Sequence, residues 1–445
     1  MNWQQLLSYK RLNSEHKFNV QSIHQQSRSE FEVDVDRIVF SYPFRRLQDK
    51  TQVVPLPEHD FVHTRLTHSL EVSSVGRSLG KKTGAAILLK RPELKETGYS
   101  ENDFGSIVAA ACLTHDIGNP PFGHSGEKAL SEFFIAHRPQ GLTDLQYADL
   151  TNFEGNAQGF RILCSPHYND LKLTYATLAT FSKYPCESIL SNRDKSRKSQ
   201  KKFGYYQSEK KHFAKIANEC GMLSLSDSEG VWSRHPLTFL VEAADDICYL
   251  IIDLEDAARM GVISFNQFKE MVSPIIGNKL DEKKLNEIRD PNQRIGILRA
   301  MAIQHLVDQC AEKFIEEEEA ILKGTFDQAL SDLISSAVYT EHIARYSFQH
   351  IYNAPQVLEI QAAGFEVLPG LLEICWEAME DHLIHGKKCK AKHLNLLRML
   401  PFTCYDLENP QRDAYLRARD LCDFISGMTD RYAVALYKKI KGISI

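Results

Sequence analysis

The 445-residue chain contains no long apolar run. The longest, Ile107 to Leu113, falls far short of the ~20 residues a membrane-spanning helix needs, so no membrane partner is expected. The first twenty residues are too polar for the apolar core of a signal peptide, and a cytoplasmic location is expected. Glycine (23) and proline (16) are both scarce, against average usage of about 7% and 5%. Ten cysteines are scattered without a CxxC pair or zinc-type spacing. They read as reduced, core-filling residues such as Cys112, set within Ala109-Ala110-Ala111-Cys112-Leu113. A large charge excess is also missing. Lys plus Arg (53) nearly balance Asp plus Glu (58), for a net charge of −5, which argues against a generally basic nucleic-acid coat. With 43% apolar residues, disorder is excluded.

What is present is helical spacing nearly throughout. Val72, Val75 and Leu79 share one face; so do Ile107, Ala110, Ala111 and Leu113. Leu237, Val241, Ala244, Cys248 and Ile251 form a third stripe, and Phe326, Leu330, Leu333, Ile334 and Ala337 a fourth. The expected fold is all-α and compact, with at most a small β-hairpin arm at Thr51 to Leu56. Two stretches break the pattern. Residues 191–202 (SNRDKSRKSQKK) read as a basic surface loop or hinge, and Glu316 to Glu319 as a solvated helix face. The weakest seam is near Met260-Gly261. The expected organisation is an N-terminal segment (1–37), a catalytic core (38–260) and a packed C-terminal helical region (261–445).

Three segments carry candidate metal ligands. His68 lies between Leu66 and Leu70 in a helical pattern, where a lone histidine is usually a core residue. His115-Asp116 closes an apolar helix that Gly118-Asn119-Pro120 must stop. A carboxylate buried there needs a partner, and a divalent cation is one; an ordinary helix cap is the other reading. Asp245, Tyr249 and Asp253 recur every four residues, so an apolar stripe turns into two carboxylates and a phenol, or simply a partly exposed acidic face. His68, His115, Asp116 and Asp245 together make a mixed nitrogen–oxygen set. It suits Mn, Fe, Co, Ni or Zn and tolerates Mg, and it suits Ca less. Sets without thiolate typify catalytic sites.

The order His…His-Asp…Asp resembles the HD-domain metal phosphohydrolases. The longer wording, in 64–72, 115–127, 152–158, 242–246 and 426–433, resembles the bacterial deoxyguanosine triphosphate triphosphohydrolases, over residues 42–433. That resemblance implies an HD-domain helical core and a reaction: cleavage of dGTP, and of other dNTPs, to deoxynucleoside and tripolyphosphate, which would control dNTP pools. By the same resemblance His68, His115, Asp116 and Asp245 match metal ligands, and His124 with Glu127 a catalytic pair beside the α-phosphate. Arg65 and Lys202 match triphosphate contacts; Tyr249, Asp253 and Gln52 match the sugar pocket. A homo-oligomer, with a hexamer favoured, is also implied. The rivals are another HD phosphohydrolase acting as nucleotidase or phosphodiesterase, and a regulator binding single-stranded nucleic acid through residues 195–202 and Lys210-Lys211.

Overall fold

A computed structural model describes the chain except for residues 13–27, 51–62, 166, 168–170, 227–229, 353–354 and 444–445. The helices that build the site are α1 (Glu30–Phe40), α2 (Arg65–Lys90), α3 (Glu101–Thr114), α4 (Gly123–Ala136), α5 (Gly155–Cys164), α6 (Tyr175–Phe181) and α7 (Thr238–Arg259). The second half adds α8 (Phe265–Ile276), α9 (Pro291–Glu316), α10 (Ala337–His350), α11 (Pro355–His385), α12 (Ala414–Ser426) and α13 (Asp430–Lys441). Among the described residues there is no strand, only isolated bridges such as Cys186 to Val231. The hairpin expected at Thr51 to Leu56 lies outside the described residues.

Helix α2 starts where Thr64 and Thr67 cap each other reciprocally, and α3 where Ser100 and Asp103 do the same. The two pack along their lengths because small residues face each other. A Cβ at Gly80 would sit 2.7 Å from the Phe104 carbonyl oxygen, so only glycine admits this spacing. Helix α7 crosses both, and α9 closes over α2 and α7. The first three apolar stripes read from the sequence are all buried in this layer. Each fully buried Leu, Ile or Val contributes about 1.5–3 kcal/mol. A second apolar cluster joins α4 to the long helix α11, with α12 and α13 behind it. All ten cysteines are free and buried.

Two local expectations are corrected. The stripe Phe326–Ala337 is not a helix; only a 3-10 turn at Leu330–Asp332 forms there. Its polar side chains are drawn to other elements: Asp327 accepts from Ser199, and Ser331 donates to Asp246. The acidic run is not wholly solvated either. Glu318 is buried, accepting from Trp3 Nε1 at 2.9 Å and pairing with Lys90 and Arg91.

Candidate active site

The apolar helix α3 delivers His115 and Asp116 to its C-terminal end, where Gly118 to Pro120 turn the chain. The His68 ring approaches from α2, edge-on to His115 with centroids 5.3 Å apart. Asp245 comes from α7, its Oδ1 3.3 Å from His68 Nε2 and 3.5 Å from His115 Nε2. Ligand atoms of His68, His115 and Asp116 all lie within 4.8 Å of one another. The His115 Nδ1 is 2.7 Å from the Cys112 carbonyl, which can only accept, so Nδ1 carries a proton and Nε2 is the ring atom turned toward Asp245.

Electrostatics keep both carboxylates ionised. Burial works to raise the pKa of Asp245, but His115, His68 and Lys183 override it and hold it well below the usual carboxylate range. Burial opposes ionisation of Asp116 too, and Arg65 and His115 reverse the balance. Arg65 Nη1 donates to Asp116 Oδ2 at 2.5 Å, and Asn119 Nδ2 donates to its Oδ1 at 2.6 Å. Two imidazole nitrogens and two ionised carboxylates converging in a half-buried corner fit a divalent cation.

A cleft of about 530 Å³ opens from this corner. His124 and Glu127 lie along it, His124 Nδ1 2.7 Å from Glu127 Oε2. Glu127 Oε1 accepts the Gly155 N–H at 2.7 Å, so the start of α5 fixes the carboxylate. Burial raises the Glu127 pKa, but the His124 hydrogen bond and the Lys202 charge bring it below the ordinary value. Lys202 reaches the same cleft and pairs with Glu154 at 3.0 Å. Tyr249, one turn beyond Asp245 on α7, also lines the cleft, and its ring stacks on Tyr352 with centroids 5.4 Å apart. Asp253 lies just behind: burial pushes its carboxyl up to about 7, and it accepts the Tyr352 O–H at 2.6 Å. The eleven residues singled out in the sequence therefore converge, apart from Gln52, which lies outside the described residues.

The HD domain matches residues 65–163, and the phosphohydrolase-associated domain matches residues 337–439. A deoxyguanosinetriphosphate triphosphohydrolase-like protein of Synechocystis is 43% identical over all of both chains. One of Pseudomonas aeruginosa is 37% identical over all of this chain and 99% of its own. The deoxyguanosinetriphosphate triphosphohydrolase of Salmonella typhimurium is 32% identical over 93% of this chain and 94% of its own. The chain belongs to the deoxyguanosinetriphosphate triphosphohydrolase family of HD-domain hydrolases.

Within this family member, sequence reasoning missed three cleft residues. Lys183 is in the cleft wall, paired with Glu242 at 3.4 Å, while Arg234 holds the other oxygen of that carboxylate at 2.8 Å. Burial works against the Lys183 charge, yet Glu242 and neighbouring acids raise its pKa above the ordinary value, so it stays cationic. Glu154, next in the chain to the Gly155 whose N–H Glu127 accepts, pairs with Lys202 at 3.0 Å. Tyr352 belongs to the C-terminal half, 99 positions from its partner Asp253. No spacing rule links residues so far apart; a Lys-Tyr pair at 183–184 after an apolar helix was the one local signal available.

Proposed function

We propose that the chain is a divalent-metal-dependent dNTP triphosphohydrolase that cuts dGTP, and other dNTPs, to deoxynucleoside and tripolyphosphate. The observation that carries this reading is one cleft that brings together a cluster of metal-ligand residue types, the His124–Glu127 pair, two lysines and a pair of stacked tyrosines. Its volume suits one small ligand. His68, His115, Asp116 and Asp245 would hold the cation. It would supply Lewis-acid polarisation of a phosphoryl oxygen and a water of lowered pKa.

The protein's own groups do the rest. Arg65, Lys183 and Lys202 offer cations to the phosphate chain, and a guanidinium fork matches phosphoryl oxygens. Glu127 accepts from His124 Nδ1, which leaves His124 Nε2 to pass a proton at the α-phosphate, where the departing 5′ oxygen needs one. Tyr249 would lie under the deoxyribose, excluding a 2′-hydroxyl, and Asp253 would accept the 3′-hydroxyl, with Gln52 as its second contact.

The cation is Mn or Mg, with Co, Ni, Fe or Zn as alternatives. The same reading makes the enzyme a cytoplasmic homo-oligomer, hexameric by resemblance, that limits dNTP pools. No helix of the described residues is long and apolar enough to cross a membrane. The case for single-stranded nucleic acid is weakened by the basic loop itself. Arg197 pairs with Asp327 at 3.1 Å and Lys198 with Asp332, so these two cations are already engaged.

Incubation with each dNTP and a panel of divalent metals, followed by product analysis, tests the reaction. Tripolyphosphate is expected; orthophosphate or pyrophosphate would sink the proposal. Asp245→Ala should abolish both Mn²⁺ binding and hydrolysis. Activity that survives it would overturn the metal assignment.

A further inference from the structure

The motif Ser426-Gly427-Met428-Thr429-Asp430 lies some three hundred residues from His124, and none of it is used in the chemistry above. In the fold it lies directly against the loop that carries His124. Lys50, buried, donates from Nζ to the Asn119 carbonyl at 2.6 Å and to the Ser426 carbonyl at 2.7 Å, tying the two segments together. Asp430, 3% exposed and in the cleft wall, accepts the Phe122 N–H on its Oδ1 at 3.0 Å.

Phe122 has φ 64° and ψ 14°, the left-handed conformation. For a bulky aromatic this is a strained backbone, kept only where the surroundings hold it. Gly123 follows with φ 56°, and the Arg65 guanidinium packs over it, since a Cβ there would lie 3.0 Å from Nη2. Two left-handed residues in succession aim the first turn of α4, and His124 is its second residue. The His124 side chain is 80% exposed, so packing does little to direct it. Its direction comes from the Glu127 contact and from the backbone turn beneath it.

We infer that Asp430 is a positioning residue for His124: its carboxylate holds the Phe122 amide, and so fixes the left-handed turn that sets the imidazole against the α-phosphate. This rests on the reading of His124 as the proton-transfer group. The C-terminal motif is then a template for a catalytic loop rather than a cap on its own helix.

The test is steady-state hydrolysis of dGTP with Mn²⁺, together with direct Mn²⁺ binding, for D430A, D430N and H124A. H124A should lose about 100-fold or more in kcat. D430A should lose about 10- to 100-fold in kcat, the scale of an ångström-sized misplacement, with KM and Mn²⁺ affinity within about twofold of wild type. D430N keeps an oxygen acceptor of lower strength and should lose less than D430A. Normal turnover in D430A beside a crippled H124A would overturn the inference alone. Normal turnover in H124A would overturn the reading beneath it. A D430A defect that appears in KM, or in step with lost Mn²⁺ affinity, would mean a general structural role and would also overturn the inference. Should D430A not fold, hydrogen exchange in D430N decides. Faster exchange confined to residues 122–124 is expected, and exchange there equal to wild type would refute it.

Discussion

Replacing Gly118 by alanine should cripple the enzyme through geometry alone. Gly118 needs no unusual φ; it needs room. A Cβ there would lie 2.1 Å from the Gly155 carbonyl oxygen and 2.1 Å from the Gly159 nitrogen, both backbone atoms of α5. Ordinary van der Waals contact begins near 3.4 Å, so the turn and the helix must part by about 1.3 Å. Neither side can yield by rotating a side chain. The turn carries Asp116, and Asn119 bonds its carboxylate; α5 begins at Gly155, whose amide holds Glu127. The one added methyl therefore pulls the His115–Asp116 turn away from the His124–Glu127 pair. A shift of this size typically costs about 100-fold in rate, and overpacking of this kind costs about 1–3 kcal/mol in stability. Tripolyphosphate release from dGTP, with urea denaturation of the same preparations, measures both. Gly296→Ala is the control: it lies within α9 with nothing closer than 3.9 Å to the new atom, and should stay neutral or gain up to about 1 kcal/mol. G118A turning over within twofold of wild type would show that the two sides of the cleft are not rigidly coupled through this contact.

Other outcomes follow from buried polar groups. His235 is buried; its Nε2 faces the Leu6 carbonyl at 3.1 Å and its Nδ1 accepts the Leu237 N–H at 3.2 Å, so the ring is held neutral. Burial lowers its pKa from 6.5 to about 4. The unfolded chain therefore binds the extra proton first, so the His235 contribution is complete above pH 6.5. It is lost as pH falls toward 4, by about 3 kcal/mol in all. Urea midpoints at pH 7, 5.5 and 4.5 should fall more steeply for wild type than for His235→Asn, and parallel slopes would refute the assignment. Tyr352→Phe keeps the ring stack on Tyr249 but removes the O–H that Asp253 accepts. Leaving that buried carboxyl without its donor should cost about 1–3 kcal/mol, and a thermal melt matching wild type would show that the bond contributes little.

Much of the fold was legible because helical burial is periodic. Val72 and Leu79, Ile107 and Ala110, and Leu237 and Ala244 are buried as their spacing requires. The same rule failed at Phe326–Ala337, where Asp327 and Ser331 bond to other elements instead of continuing a helix. Charge runs misled in one direction. Glu318 and Arg197 read as solvated, yet both are paired within the fold. Whether a run of like charges meets water or opposite charge depends on what packs over it, which local sequence does not encode.

For the site, the sequence by itself determined which chemistry was possible. It put His115-Asp116 at the end of an apolar helix, spaced Asp245, Tyr249 and Asp253 along one face, and set Glu127 three residues after His124. These follow from helical geometry over a turn or two. Tertiary structure decided which of those groups meet. It set Asp245 against two imidazoles, brought Lys183 and Glu154 into the cleft wall, laid Tyr352 on Tyr249, and placed Asp430 beneath Phe122. Each such contact joins segments far apart in the chain. Its geometry is set by close packing of backbones at residues such as Gly118, and that packing depends on every neighbouring element at once.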